Sequence, residues 1–433
     1  MIPYILHIAA VCMLLAGSAI AQNTKENADF KLALNLYNDA LYDLAAEQLK
    51  QFIATFPNGS QSVEARFYLG LTQMKLKEYD DARLTFQSFA LTYQENPRAP
   101  EAWWNVGEAY VAVQNYREAA LAFERVKVFH PKSKSAADAL VQASRYFRLC
   151  NELDNARRVL RSVLQEYPSS NAVLAARTQL GQLYFEEGNM DQAQNELKRV
   201  IEGDPSPDAK AQALLILGNI YQAMGKVDQA RGNYQEIISK YKSASALQGA
   251  YLNLGKVLAG TGSYTEAVDN LKKAIGEKGK GDTTIVQDAL VAIGDAYASL
   301  KDYPNAVASY ERFVAAYPGH PLAGEVLWKT ALAAAKGRSF AKSNAACTRI
   351  LKSTAPERVQ RRAQLRLALN AQEQKTVSQA VQLFTAFIEH YPDDPAADRV
   401  VMHVAELTEK GLKDPPPPSL TMLSPERPAV MNR

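Results

Sequence analysis

The amino-acid sequence predicts an all-α solenoid, and two observations support that prediction. A small residue recurs along the 433 residues at intervals of 37, with one interval of 39. Between these positions apolar residues follow the period of a helix, and proline or polar residues stand where helices would end. A fixed period of this size indicates one supersecondary unit that is copied along the chain and stacked on its neighbours. The recurring residues are Ala45, Ala82, Ala119, Ala156, Ala193, Ala230, Ala267, Ala306, Ser343 and Ala380.

The third copy indicates that each unit is a pair of helices. Two apolar stripes with helical spacing flank a polar turn at Gln114 and Asn115. Pro131 closes the unit because a proline cannot continue a helix. Each copy is therefore predicted to be a helical hairpin with a short turn between its first and second helix. The first stripe contains Trp103, Val106, Gly107 and Tyr110, and the second contains Tyr116, Ala119, Phe123 and Val126.

Six copies carry a glycine in the middle of the predicted first helix, 12 residues before the recurring small residue. A glycine inside a helix costs about 1 kcal/mol relative to alanine. Its repeated presence predicts that a partner helix occupies the space of the missing side chain. Copies nine and ten differ, because Ala331 and Ala368 replace the glycine and Ser343 replaces the recurring alanine. The six glycines are Gly70, Gly107, Gly181, Gly218, Gly255 and Gly294.

The stripe residues of the third copy resemble the tetratricopeptide-repeat signature, which combines aromatic, Leu-Gly, Tyr, Ala, Phe and Pro positions. The resemblance extends over about residues 28 to 410. It implies a right-handed superhelical α-solenoid of about ten tetratricopeptide-like hairpins plus a capping helix. The usual repeat has about 34 residues. The longer period here is similar to that of bacterial envelope members, namely Tol–Pal-associated periplasmic proteins and the outer-membrane assembly lipoprotein.

The two ends of the chain are predicted to lie outside the solenoid. Residues 5–17 form an apolar run too short to span a bilayer, and Ala19-Ile20-Ala21 fits a signal-peptidase site. We expect a signal peptide over 1–21, the solenoid with its capping helix over 22–413, and a disordered Pro-rich tail over 414–433. The mature chain would be periplasmic, and any association with the outer membrane would be peripheral. No lipid anchor is expected, because Ser18 stands where a lipobox needs a cysteine. The alternative is that the apolar run is an ordinary buried N-terminal helix.

Residue patterns of catalytic and cofactor sites are not found. The five histidines have no metal-ligand spacing. In the glycine-rich segment 276–283, Asp282 stands where a phosphate loop needs lysine. A formal net charge of +3 is too balanced for nucleic-acid binding by counterion release. The sequence therefore predicts a non-enzyme with no catalytic residue, metal or cofactor, and with no nucleic-acid partner, small-molecule substrate or integral membrane span.

The resemblance also implies where a partner would bind, because in this family the first helix of each hairpin lines a concave groove. An apolar stretch beside two arginines would suit a peptide segment that carries an acidic group. The residues predicted to form this stretch are Phe67, Leu71, Met74, Trp104, Val111, Arg145, Arg148 and Phe185. A second, basic stretch resembles half of the carboxylate clamp by which some members hold a C-terminal peptide; it consists of Lys329, Lys336, Arg362 and Arg366. The alternative is that these side chains pack on adjacent helices or form a solvated face.

The function predicted from these features is that of a non-catalytic scaffold or adaptor in the bacterial periplasm. Its partners would be other envelope proteins or peptide segments held in the groove, in the context of envelope or outer-membrane assembly and maintenance. Two alternatives remain open. One is a glycan- or peptidoglycan-binding repeat protein, with Trp104 and Trp328 stacking on sugars. The other is a regulatory subunit of a separately encoded envelope enzyme.

Overall fold

The computed structural model describes residues 24–276 and 282–411, and all regular structure in these two ranges is helical. The prediction of an all-α solenoid is therefore confirmed. The predicted signal peptide, the Pro-rich tail and most of the glycine-rich segment 276–283 lie outside the described residues. Over the ranges that are described, no helix is both long and apolar enough to cross a membrane.

The chain divides into two compact units, Met1–Ile216 and Leu217–Arg433. The first unit holds α1 (24–38), α2 (Tyr42–Thr55), α3 (Ser62–Leu76), α4 (Tyr79–Thr92), α5 (Ala99–Ala112), α6 (Tyr116–Phe129), α7 (Ala136–Leu149), α8 (Leu153–Glu166), α9 (Ala172–Glu186), α10 (Met190–Glu202) and the start of α11 (Pro207–Ala223). The second unit holds the rest of α11, α12 (Val227–Lys240), α13 (Leu247–Gly260), α14 (Tyr264–Ile275), α15 (Thr283–Ser299), α16 (Tyr303–Ala316), α17 (Ala323–Lys336), α18 (Phe340–Leu351), α19 (Glu357–Glu373), α20 (Val377–His390) and α21 (Ala397–Gly411).

From α1 to α20, each odd-numbered helix is the first helix of a hairpin and each even-numbered helix is the second, while α21 packs on α20 of the last hairpin. In the first unit α5 packs on α6 and α6 packs on α7, so that each hairpin covers the next. The first helices of neighbouring hairpins also touch, as α7 does with α9 and, in the second unit, α17 does with α19. Side chains at equivalent positions of the first helices therefore form rows within each unit.

The six mid-helix glycines lie where the two helices of one hairpin approach each other most closely. A Cβ atom on Gly107 would lie 2.7 Å from Cζ of Phe123, and one on Gly181 would lie 2.7 Å from Cγ of Leu197. In all six hairpins the obstructing side chain comes 16 residues after the glycine and is fully or almost fully buried. The prediction that a partner helix fills the glycine's missing volume is confirmed. The six side chains are Phe86, Phe123, Leu197, Tyr234, Leu271 and Tyr310.

The turn inside each hairpin depends on one residue in the left-handed backbone region. This residue recurs with the period of the chain, and its φ lies between 56° and 86° in all ten hairpins. Only three of the ten are glycines, although side chains disfavour this region by about 1–2 kcal/mol. The seven others are held there by the helices on either side. The ten residues are Ala40, Lys77, Gln114, Asn151, Gly188, Gly225, Gly262, Lys301, Arg338 and Lys375.

The serine that replaces the recurring alanine in the ninth hairpin makes a buried polar contact. The Ser343 hydroxyl donates to the carbonyl of Ala331 at 2.9 Å, and the side-chain amide of Asn370 donates to Ser343 Oγ at 2.8 Å. The same amide donates to Asn344 Oδ1 at 2.7 Å. Ser343 and Asn370 have no exposed surface. A serine is accommodated here because Asn370, in the next hairpin, supplies its hydrogen-bond partner.

Candidate protein-binding surface

The first helices of hairpins two to five present two rows of partly exposed side chains in the first unit, which we call the α3–α9 surface. One row stands directly after the glycine position and the other stands four residues after it. On α3 both positions are apolar. On α5 the first row has a carboxylate, and on α7 both rows have an arginine. The first row is Leu71, Glu108, Arg145 and Gln182, and the second is Met74, Val111, Arg148 and Phe185.

Trp104, Glu108 and Arg145 form a group at the centre of the α3–α9 surface. Burial raises the pKa of the Glu108 carboxyl, while a hydrogen bond from Trp104 and the positive charge of Arg145 oppose that rise. The Trp104 ring packs edge-on against Phe123, with ring centroids 5.1 Å apart. The predicted surface residue Trp104 is thus anchored against Phe123 and remains partly exposed. Sequence reasoning missed Glu108, although its place directly after Gly107 marks it by the same rule.

The two predicted arginines of this surface differ in their availability. The guanidinium of Arg148 pairs with Glu186 at 2.8 Å, and the same carboxylate oxygen accepts from Gln182 at 2.8 Å. Arg145 is exposed and lies 6.0 Å from the centroid of the Tyr146 ring. Among the described residues no carboxylate comes within ion-pair distance of Arg145. Arg145 is therefore the available cation, whereas a ligand would have to compete with Glu186 for Arg148.

Phe67 was predicted to line the groove, and this prediction is wrong. Its side chain has no exposed surface. Its ring packs edge-on against Phe86 and Phe89, with centroids 5.3 Å away in both cases. The guanidinium of Arg98, from the loop before the next hairpin, covers the ring at 4.5 Å. Phe67 is a core residue because two neighbouring elements supply aromatic and cationic cover that its sequence position does not reveal.

Two of the four cations predicted in the second unit are already paired. The ammonium of Lys329 donates to both carboxylate oxygens of Asp295 at 2.7 Å, and Asp295 also accepts from the Tyr310 hydroxyl at 2.6 Å. The Arg366 side chain is only 13% exposed; it donates to Asn370 Oδ1 at 2.7 Å and pairs with Glu373. Lys329 therefore links two neighbouring first helices, whereas Arg366 is held by residues of its own helix. The prediction that they are ligand-binding cations is not supported.

The remaining two cations of that stretch, Lys336 and Arg362, are exposed. Elsewhere in the second unit the first helices are joined by a polar contact that the sequence reasoning missed. The Tyr234 hydroxyl and the Asn253 amide both donate to Asn219 Oδ1 at 2.7 Å. This arrangement repeats that of Tyr310, Lys329 and Asp295, so it is a recurrent link between neighbouring hairpins. In the described ranges no group of three or more His, Cys, Asp or Glu side chains could hold a metal ion.

Three family models match consecutive parts of the chain. The model described as tetratricopeptide repeat matches residues 30–92, and the model described as tetratricopeptide repeat-like domain matches residues 91–249. The model described as outer membrane lipoprotein matches residues 248–410. These matches confirm the resemblance inferred from the repeat residues. The comparison with curated proteins finds no match.

Several solved structures are similar to this chain. A tetratricopeptide repeat protein from Parabacteroides merdae has 16% identity and a TM-score of 0.44, over 62% of this chain and 98% of that chain. The C-terminal part of a repeat-containing protein from Cytophaga hutchinsonii has 16% identity and a TM-score of 0.48, over 60% and 98%. PilF of Pseudomonas aeruginosa has 19% identity and a TM-score of 0.39, over 53% and 97%.

Proposed function

Since tetratricopeptide repeats build this chain, we propose that it is a non-catalytic scaffold that binds protein segments in the bacterial periplasm through the α3–α9 surface. The proposal assigns it to the assembly or maintenance of the cell envelope. The matched outer membrane lipoprotein model and the signal-peptide pattern of residues 1–21 support the location. The repeat family supports a binding role, because its folded units carry function on surfaces rather than in enclosed pockets.

The observation that supports this proposal most strongly is the exposed Arg145 beside apolar side chains. Met74 and Val111 offer apolar area on the two preceding first helices, and Phe185 offers it on the following one. A partner carboxylate at the exposed Arg145 would form a charge-assisted hydrogen bond worth up to about 1 kcal/mol. Apolar side chains of the partner would add about 25 cal/mol for each Å² they bury. The preferred ligand is therefore a peptide segment with one acidic residue next to apolar residues.

The experiment uses the chain from residue 22 as bait in an envelope extract, with mass spectrometry of the proteins that co-elute. Trp104→Ala combined with Arg145→Glu is expected to abolish capture while leaving the helical circular dichroism unchanged. The matched control is Lys198→Glu, which makes the same charge reversal at an exposed position of α10. Capture that survives the double substitution, or that is lost equally with the control, would refute the assignment to this surface.

Purified peptidoglycan sacculi provide a second arm of the experiment. The two tryptophans proposed for sugar stacking, Trp104 and Trp328, lie in different units and are each partly buried. We expect the protein to remain in solution when sacculi are sedimented. Sedimentation with the sacculi that disappears on Trp104→Ala would favour the glycan-binding alternative instead.

A further inference from the structure

The outer side of the first hairpin exposes apolar residues whose equivalents are mostly buried in the other hairpins of the first unit. Ala28 and Leu32, on α1, are exposed, and Leu32 retains 48% of its surface. The residues equivalent to Ala28 are Ala65, Ala102, Ala139 and Ala176, and all four have no exposed surface. Of the residues equivalent to Leu32, Leu69 is partly buried, and the other three are buried, namely Val106, Ala143 and Leu180. In later hairpins the preceding hairpin covers this face, whereas no described residue precedes α1.

Two leucines stand on the same side at the start of the second helix of the first hairpin, Leu41 directly before α2 and Leu44 in its first turn. Leu41 and Leu44 are 49% and 53% exposed. Their equivalents in hairpins three to five are polar: Asn115, Glu152 and Asn189 for Leu41, and Glu118, Asn155 and Gln192 for Leu44. Contacts of these equivalents show which way the leucines face. Glu152 accepts from Arg117 of the preceding hairpin at 2.7 Å, and Asn155 donates to Glu152 at 2.8 Å. Leu41 and Leu44 thus extend the apolar face of α1, which we call the first-hairpin face.

The other end of the described chain has the opposite character. The outer side of α21 exposes Met402 together with Asp398, Glu406 and Glu409. Polar terminal helices keep solenoids soluble, and α21 has that composition. Stacking of a first-hairpin face on the α21 of another copy would bury these three carboxylates beside leucines, at a cost that their desolvation makes high. A head-to-tail contact between copies is therefore disfavoured.

The residues on the exposed side of α1 are spaced symmetrically about Leu32, so that this side would be complementary to an antiparallel second copy of itself. Lys25 stands seven residues before Leu32, and Asp39, the first residue after α1, stands seven residues after it. The amide of Asp39 donates to the carbonyl of Asn35 at 2.8 Å, so the backbone continues the helix to this residue. Ala28 and Leu36 stand four residues before and four after the same leucine. Two antiparallel copies of this stripe would place Leu32 on Leu32, Ala28 on Leu36 and Lys25 beside Asp39. We propose that two copies of the chain associate through their first-hairpin faces around a two-fold axis at Leu32, with the two α1 helices antiparallel.

The test measures the molar mass of the chain from residue 22 by light scattering and sedimentation between about 1 and 100 μM. A dimer that dissociates on dilution is expected. Leu32→Glu together with Leu44→Glu should raise the dissociation constant by more than about a hundredfold, because each dimer would bury four charges without partners. The matched control is Met402→Glu at the exposed side of α21, which should leave the dimer unchanged. A chain that stays monomeric over this range, or a dimer lost equally with the control, overturns the proposal.

A charge exchange tests the antiparallel geometry. Lys25→Glu alone and Asp39→Lys alone should each weaken the dimer by roughly three- to thirtyfold, and the two together should restore it. The two residues are about 21 Å apart within one copy at 1.5 Å per residue, so the restored pair must join different copies. Additive weakening in the double variant would refute this arrangement. The full chain, measured in parallel, tests the other occupant. If the full chain stays monomeric while the chain from residue 22 dimerises, residues 1–23 are the occupant of this face in the full chain, and the proposal fails.

Discussion

Adding one methyl group at Gly294 tests the close contact within a hairpin, because the outcome runs against helix propensity. A Cβ on Gly294 would overlap Cε1 of Tyr310 and lie 2.5 Å from its Cδ1, whereas carbon atoms normally pack about 3.5–4.0 Å apart. The ring is 2% exposed and its hydroxyl donates to Asp295 at 2.6 Å. Asp295 is in turn held by Lys329. The ring cannot withdraw by the required distance of about 1 Å without breaking that contact.

The magnitude follows from two opposing contributions. Overpacking of a rigid core position costs about 1–3 kcal/mol, and replacing a mid-helix glycine by alanine gains about 1 kcal/mol. We therefore expect Gly294→Ala to reduce the free energy of unfolding by up to about 2 kcal/mol. The matched control is Gly232→Ala in α12 of the same unit, where a Cβ would meet no atom within 4 Å. That variant should gain about 1 kcal/mol.

The assay is urea unfolding followed by circular dichroism, with hydrogen exchange of α15 and α16 amides, since repeat arrays need not unfold in one step. The two alanine variants should shift the unfolding midpoint in opposite directions at unchanged slope. If both variants stabilise the protein equally, the glycine is not required by the contact with Tyr310.

Two further predictions concern the hairpin turns and the α3–α9 surface. Lys301→Gly should stabilise the protein by about 0.5–1 kcal/mol and raise its melting temperature, because it removes a side chain from a left-handed turn at φ 61°. Gly188→Ala should lower the stability by a similar amount, although a Cβ at Gly188 would meet no atom within 4 Å. Calorimetry that found the opposite order of melting temperatures would contradict backbone strain at these turns. Burial raises the pKa of Glu108 in the folded chain, so the folded state holds this proton more tightly, and stability falls as pH rises through the window between the unfolded and folded pKa. Glu108→Gln should therefore stabilise the protein at neutral pH and have no effect in acid below that window, which melting curves at the two pH values would show.

Features that depend on residues within one hairpin could be predicted from the sequence. The 37-residue period, the helix pairs and the contact at Gly107 involve residues of the same hairpin, so the pattern contained both partners. The left-handed turn residue was not foreseen, because seven of its ten occurrences carry a side chain and do not show the usual glycine. Tertiary contacts on both sides impose that conformation.

Assignments of exposed ligand-binding positions were less reliable, because they depend on neighbouring hairpins. Phe67 and Trp104 occupy the same position in successive first helices, yet Arg98 covers Phe67 and Trp104 remains partly exposed. Lys329 and Arg366 looked available, but their carboxylate and amide partners stand four to 34 residues away. A pattern of positions identifies a side of a helix, but whether a cation there is free depends on the residues that its own helix and the neighbouring hairpins place beside it.

The contact between each mid-helix glycine and the side chain 16 residues later has a consequence for how such a chain can lengthen. Both partners belong to one hairpin, as Gly255 and Leu271 do. A gene segment that encodes one period therefore includes everything needed to close that hairpin. Its duplication would insert a unit with its internal fit already complete, and only the residues facing the new neighbours would remain to be adjusted by later substitution.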